Sequence, residues 1–108
     1  MTTATEFFII RDNLVRPLWF KYQENGRPAL ELICADGEPY TTASVNFSHQ
    51  PLAEDEIVIK TWSENEGVLE ALIKAGIVSE PVRFFHSGFV QAPVCKLLVE
   101  PHYEKDQV

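Results

Sequence analysis

The chain has 108 residues, 45% of them hydrophobic and 11% aromatic, and a net charge of -7. This length and apolar content suit one domain with one core, and no stretch has the ~18 uninterrupted apolar residues of a membrane span. The negative charge disfavours direct nucleic-acid binding and favours a basic protein partner, although it also serves solubility without any partner.

The ends and the cysteines set the expected compartment. Met1–Glu6 lacks the basic region of a signal peptide, so we expect a cytoplasmic protein. Cys34 and Cys95 each lie in an apolar segment and are predicted to be buried, reduced thiols. The histidines are too scattered to predict a metal site or a cofactor: His49, His86 and His102. We expect one domain over residues 1–108, with flexible ends at 1–5 and 101–108.

The first half of the chain predicts a meander of strands. Pro17 near the start of the apolar segment 14–22 indicates an edge strand, because proline cannot donate to a ladder on both sides. Asn25-Gly26 and Asp36-Gly37 are pairs typical of tight hairpin turns. Between them Leu30, Leu32 and Cys34 alternate with polar or outward positions, and residues 38–47 have the composition of a further strand.

The second half predicts a strand, a helix and further strands. Residues 56–60 should form a short strand with its charged ends at the sheet margins. Ser63 and Glu66 have the spacing of a capping box, which predicts a helix over about residues 64–75, and Gly76 lies where a left-handed C-cap belongs. Segments 82–90 and 94–99 read as strands, the first broken near Ser87-Gly88. The predicted fold is α+β, an antiparallel sheet of about five strands packed by this one main helix.

Catalytic motifs give no support for an enzyme. The sequence has no nucleophile-elbow glycine pattern, no Walker loop and no dinucleotide-binding glycine fingerprint. The nucleophile and base residue types are present but unclustered, so we predict no catalytic, cofactor-binding or metal-binding residues.

Acidic residues and one tryptophan are the candidate partner-binding site. If the strand at 56–60 and the helix start lie side by side, their carboxylates could imitate nucleic-acid phosphates and occupy a basic groove. A solvated surface with acids at a helix N-terminus explains the same residues, and the tryptophan could equally be a core residue. The candidates are Glu54, Asp55, Glu56, Trp62, Glu64, Glu66 and Glu70.

Two aromatic clusters are a second candidate surface. Trp19-Phe20 and Phe84-Phe85-His86 most simply supply core. If the strand face that carries either cluster were left uncovered, its aromatic side chains would make a dimer or partner surface.

Four segments resemble one protein family. SVNF at 44–47, EIVIKTWSENEG at 56–67, LEALIKAGIV at 69–78 and GFVQAPVC at 88–95 resemble small uncharacterised acidic proteins carried on bacterial plasmids, phages and integrated mobile elements. That family has no established activity, so the resemblance transfers no functional residue. It implies a setting in which small acidic proteins often inhibit host defence, of anti-CRISPR or anti-restriction type.

Together these observations predict a binding protein. The expected function is to inhibit a bacterial nucleic-acid-processing defence complex by masking a basic surface on a CRISPR effector or restriction subunit. The alternative is a non-catalytic homodimeric interaction module, and a small enzyme ranks third.

Overall fold

A computed structural model describes residues 7–104 of the chain. These residues form seven strands, a 3₁₀ turn and one α-helix: β1 (Phe8–Ile10), β2 (Asn13–Lys21), β3 (Pro28–Cys34), β4 (Pro39–Thr42), β5 (Glu56–Val58), the 3₁₀ turn (Ser63–Asn65), α1 (Val68–Lys74), β6 (Arg83–Ser87) and β7 (Val90–Lys96). All strand pairs are antiparallel. The α+β class is therefore confirmed, with seven strands in two sheets instead of five in one.

The first sheet is a meander with the order β1-β2-β3-β4. Its turns contain Gly26 at φ 73° and Gly37 at φ 92°, left-handed conformations that glycine adopts without steric cost. Both hairpins predicted at Asn25-Gly26 and Asp36-Gly37 are confirmed. β3 directs Leu30 and Leu32 into the core, as their alternation predicts.

β2 is an edge strand over only part of its length. β1 pairs with residues 13–15 alone, and the remainder of β2 extends beyond it. Trp19 accepts a hydrogen bond on that outer side from the Glu104 N–H at 2.8 Å. Because hydrogen-bonding direction alternates along a strand, Pro17 also faces outward, where its missing N–H interrupts no β2–β3 bond.

The C-terminal segment lies beside this outer side of β2. Tyr103 forms a parallel bridge with Trp19, and the Lys21 ammonium lies 4.8 Å from the centre of the Tyr103 ring. Residues 101–104 of the predicted flexible tail are thus held against β2, whereas residues 1–5 and 105–108 lie outside the described range.

Residues 43–45 join the two sheets. The N–H groups of Ala43 and Ser44 both donate to the Leu30 carbonyl, at 2.8 and 3.3 Å, which is a β-bulge. The bulge turns the chain away from β3, so that Ser44 bridges Ile59, next to β5. The single strand predicted over 38–47 is therefore divided between two sheets.

The second sheet has the order β5-β7-β6 and is buried on both faces in its centre. Along β7 the alternate residues Ala92 and Val94 pack into a small cluster with Phe85, whereas Cys95 packs into the main core. Apolar side chains on both faces explain why apolar and polar residues do not simply alternate in this part of the sequence.

The helix α1 packs on the main core through Val68 and Leu72. It ends in a Schellman motif, in which the Ile77 N–H donates to the Leu72 carbonyl and the Gly76 N–H to the Ile73 carbonyl, both at 3.0 Å. Gly76 has φ 77°, as its predicted role at the helix end requires. The α-helix is shorter than the predicted range 64–75, since it begins at Val68.

The turn between β1 and β2 makes a stability prediction. Arg11 and Asp12 both have positive φ, 48° and 67°, as in a type I′ turn, which favours glycine at its second central position. Asp12→Gly is expected to raise the free energy of unfolding by about 0.5–1 kcal/mol, because glycine relieves the left-handed strain. Urea denaturation measures the change. Gly26→Ala, the reverse exchange at a positive φ, should lower stability, and a loss of stability in Asp12→Gly would contradict the prediction.

Candidate partner-binding surfaces

The acidic stretch 54–56 does not form a continuous exposed surface. Glu54 is exposed, and the exposed Asp55 carboxylate lies 3.2 Å from the Lys96 ammonium. Glu56 is buried, with its side chain only 5% exposed. The prediction that Glu56 contacts a partner from the sheet margin is therefore wrong, because this carboxylate points into the protein.

Glu56 is held by a local network that crosses the second sheet. Its carboxylate accepts hydrogen bonds from the Arg83 guanidinium at 2.6 Å and from the Ala53 N–H at 2.9 Å. Arg83 also donates to the Pro51 carbonyl at 2.9 Å. The Arg83 hydrogen bond holds the pKa of Glu56 below its usual value, against the opposing effect of burial. Glu56 is thus a structural group that ties β5 to β6.

The junction from strand to helix contains no capping box. Ser63 has φ 59° and lies in a 3₁₀ turn, and the residue before α1 is Gly67, at φ 88°, with no side-chain cap. The capping box predicted from the Ser63–Glu66 spacing is therefore wrong, because Gly67 interrupts the helical path between the 3₁₀ turn and α1. Only a residue that tolerates positive φ fits there readily.

Asn65 organises this junction, and no pattern in the sequence predicted that role. Its side chain is fully buried and accepts a hydrogen bond from the Thr41 hydroxyl at 2.6 Å. Its amide group donates to the Thr42 carbonyl at 2.8 Å and to the Lys60 carbonyl at 3.1 Å. Asn65 therefore joins the end of β4 to the chain before α1. The single sequence carried no signal for this role, because the burial of Asn65 depends on residues distant along the chain.

Trp62 belongs to the packing of the fold. It is partly buried and packs against the cluster formed by Val58, Phe85, Ala92 and Val94. The core interpretation of Trp62 is thus favoured over an exposed anchor for a partner. Trp62 thus contributes to the packing of this strand-to-helix junction.

The acids around the helix start remain on the surface. Glu64 lies 3.1 Å from the Lys60 ammonium; its own backbone N–H, followed by Lys60, lowers the pKa of Glu64. Glu66 and Glu70 are exposed and have no salt bridge within residues 7–104. Of the predicted acidic site, Glu54, Glu66 and Glu70 therefore keep carboxylates that no basic side chain of the described chain neutralises.

Most of the surface charge is similarly unneutralised. Residues 7–104 contain fourteen carboxylate side chains, and salt bridges engage three of them. Because two of those three pairs, Lys60–Glu64 and Lys96–Asp55, are exposed, water screens their attraction, and they can open to meet a partner. The domain thus presents a strongly acidic surface.

The hairpin of β6 and β7 is an apolar surface of different character. Phe84 is 46% exposed on β6, and Phe89 at the tip of the Gly88-Phe89 turn is fully exposed. Val82, just before β6, is also half-exposed. Of the aromatic clusters found in the sequence, Trp19 and Phe85 are buried, whereas Phe84 is not. Exposed aromatic side chains beside an edge strand are typical of an interaction surface.

The structure also brings two histidines to one open cleft. His49 and His86, separated in sequence, line a cleft of about 240 Å³ together with Asn46, Ser48 and Ser87. Both imidazoles are exposed, and among residues 7–104 no group of three or more metal-ligating side chains occurs. Cys95 is buried, and burial raises the pKa of its thiol to about 11, which favours the protonated thiol at neutral pH.

Known proteins add no further assignment. Comparison with family models, with characterised proteins and with solved structures gave no match. The resemblance to small proteins of mobile elements therefore stays a prediction. Within residues 7–104, no helix has the length and apolar character needed to cross a membrane.

Proposed function

We propose that this protein is a small acidic inhibitor that binds a bacterial nucleic-acid-processing defence complex, a CRISPR effector or restriction system, by masking a basic surface. The observation that carries the proposal is the acidic surface, on which eleven of the fourteen described carboxylates have no salt bridge within residues 7–104. A surface of this charge attracts the Lys and Arg side chains with which such complexes hold phosphate backbones.

The proposed binding residues are the acids that remain available, Glu54, Glu66 and Glu70, and Asp55 and Glu64 join them when their exposed salt bridges open. These acids form two groups: Glu54 lines a cleft with Lys21 at the end of β2, whereas Gly67, next to Glu66, lies near the Arg11 side chain, just before the start of β2. Glu56 and Trp62 pack within the fold. The protein acts by occupancy, so the proposal requires no catalytic step and no cofactor.

Charge reversal of the three available acids tests the proposal. The triple variant Glu54→Lys, Glu66→Lys and Glu70→Lys is expected to weaken partner capture by a factor of roughly 10 or more at low salt, because complementary charges across the interface become repulsive. Capture from a bacterial lysate, repeated over a salt series and in competition with duplex DNA, measures the effect. The captured protein is identified by mass spectrometry, and its nuclease activity is assayed with and without this chain.

A matched control keeps the net charge equal. Glu24, Glu38 and Glu80 are also exposed and line neither of the clefts that contain Glu54, and their reversal to lysine changes the charge by the same amount at other positions. This control should retain most of the capture and the inhibition. An equal loss of capture in both triple variants would show that net charge, and not these three positions, determines binding. Capture that neither variant weakens would contradict the proposal.

A further inference from the structure

We propose that two copies of this chain associate through the outer edge of β6, which joins their second sheets into one antiparallel sheet. The surface is separate from the acidic one, and the inference does not depend on the proposed function. It follows from the hydrogen-bonding direction of β6, from the exposed side chains beside it and from the distribution of charge.

The direction of the main-chain groups on β6 follows from its neighbours. The Ile59 N–H donates to the Pro93 carbonyl at 3.0 Å, so Pro93 faces β5 and not β6. Phe84 lies opposite Pro93 and is therefore in a non-hydrogen-bonded position of the β6–β7 pair. Phe84 and, two residues further, His86 thus direct their N–H and C=O groups to the outer edge. Within residues 7–104, no strand covers this edge.

The outward direction of the Phe84 and His86 main-chain groups selects one register for a symmetric pair of β6 strands. With the twofold axis at Phe85, Phe84 of one copy lies opposite His86 of the second copy, and the reverse pair follows by symmetry. Both residues direct their main-chain groups outward, so the two pairs form four hydrogen bonds between the copies. The Phe84 ring then lies beside the His86 imidazole across the interface.

The exposed apolar side chains lie where this register needs them. Phe84 is on the face of the sheet that carries Pro93 and Cys95, and Cys95 belongs to the main core. A second copy would extend this apolar layer and cover the Phe84 ring. The same register sets the Gly88-Phe89 turn of one copy beside Val82 of the other, two further exposed apolar positions.

The charge distribution favours a second copy over a basic protein at this edge. Residues 81–99 contain Arg83 and Lys96 but no Asp or Glu, whereas the rest of the chain holds all sixteen acids. Two molecules of charge -7 repel each other least when they approach through this acid-free segment. A basic partner would find no carboxylate of this segment to bind, so the complementary surface here is another copy of the same hairpin.

Light scattering on the purified full chain tests the inference, with His86→Pro and Phe84→Glu as the variants. The wild-type chain should have twice the 12.3 kDa chain mass over a range of concentrations, and high salt should preserve the dimer. His86→Pro removes an outward N–H from an edge position, where proline is tolerated, and Phe84→Glu places a charge at the interface. Both variants should shift the mass to that of one chain while the circular dichroism stays unchanged.

The control is Ile9→Glu, on the edge strand β1 of the first sheet, where Ile9 is 64% exposed. It should remain dimeric. If either β6 variant loses its fold, hydrogen exchange of the wild-type chain decides the question, because the Phe84 and His86 amides should gain protection as concentration rises. A wild-type chain that is monomeric throughout, a dimer that only Ile9→Glu disrupts, or amides that stay unprotected would overturn the proposal.

Discussion

Asn65→Ala is expected to lower the free energy of unfolding by about 3 kcal/mol, because it removes three hydrogen bonds at once. The substitution leaves the Thr41 hydroxyl without its acceptor and the Thr42 and Lys60 carbonyls without their donor. Because Asn65 is fully buried, water does not replace these bonds unless the junction opens. Urea denaturation followed by circular dichroism measures the change.

Two companion variants separate the hydrogen bonds from the loss of volume. Thr41→Val removes one bond of the network and should cost about 1 kcal/mol. Asn65→Asp keeps the shape of the side chain but turns an oxygen toward the two carbonyls in place of the amide donor, so it should destabilise strongly at neutral pH. If Asn65→Ala changed stability by less than Thr41→Val does, Asn65 would not organise the junction.

Arg83→Leu is expected to lower the free energy of unfolding by about 2–3 kcal/mol, because it leaves the buried Glu56 carboxylate without its ion-pair partner. We expect a smaller loss of stability than for a fully buried ion pair, since the Arg83 side chain is itself 41% exposed and water reaches one side of the contact. Adding Glu56→Gln to Arg83→Leu should recover part of the loss, because a neutral amide costs less to bury than a charge. Urea denaturation of the two single variants and the double variant checks this, and strict additivity would contradict the pairing.

The same ion pair predicts a pH dependence. The pKa of Glu56 is lowered in the folded state from an ordinary value of 4.5, so the folded state binds its proton less readily than the unfolded chain does. The resulting stabilisation is fully present above that ordinary value and is lost as the pH falls through the lowered pKa. Stability measured from about pH 6 to about pH 3 should therefore fall less steeply for Glu56→Gln than for the wild-type chain. Parallel pH profiles would show that Glu56 does not contribute to acid sensitivity.

The two proposed surfaces have opposite chemistry and would act together. The acidic surface repels a second copy, whereas the hairpin of β6 and β7 lacks carboxylates altogether. A dimer joined at β6 would carry two acidic surfaces, so an elongated basic groove could engage both, and the second contact would be intramolecular. A dimer-disrupting variant such as His86→Pro would then weaken capture without altering the charge that Glu54, Glu66 and Glu70 supply.

Features that depend only on residues adjacent in the sequence were predictable from the sequence alone. Gly26, Gly37 and Gly76 mark turns and a helix end because only a residue without a β-carbon adopts positive φ freely, a property of the local chain. The alternation of Leu30 and Leu32 likewise predicts a strand face, since successive side chains of a strand point to opposite sides. The α+β class follows from such local patterns together with one amphipathic helix.

Tertiary contacts alone decided which of the charged and aromatic residues are available for binding. Glu56 is buried because Arg83, 27 residues further along the chain, reaches it across β7, and Asn65 is buried because Thr41, 24 residues earlier, meets it. A single sequence carries no signal for such pairings, since the energy that selects them comes from contacts between distant segments. The sequence by itself therefore determined that this is an acidic domain whose residues 81–99 lack acids, whereas the fold decided that Glu56 is buried and that β6 lies at the edge of its sheet.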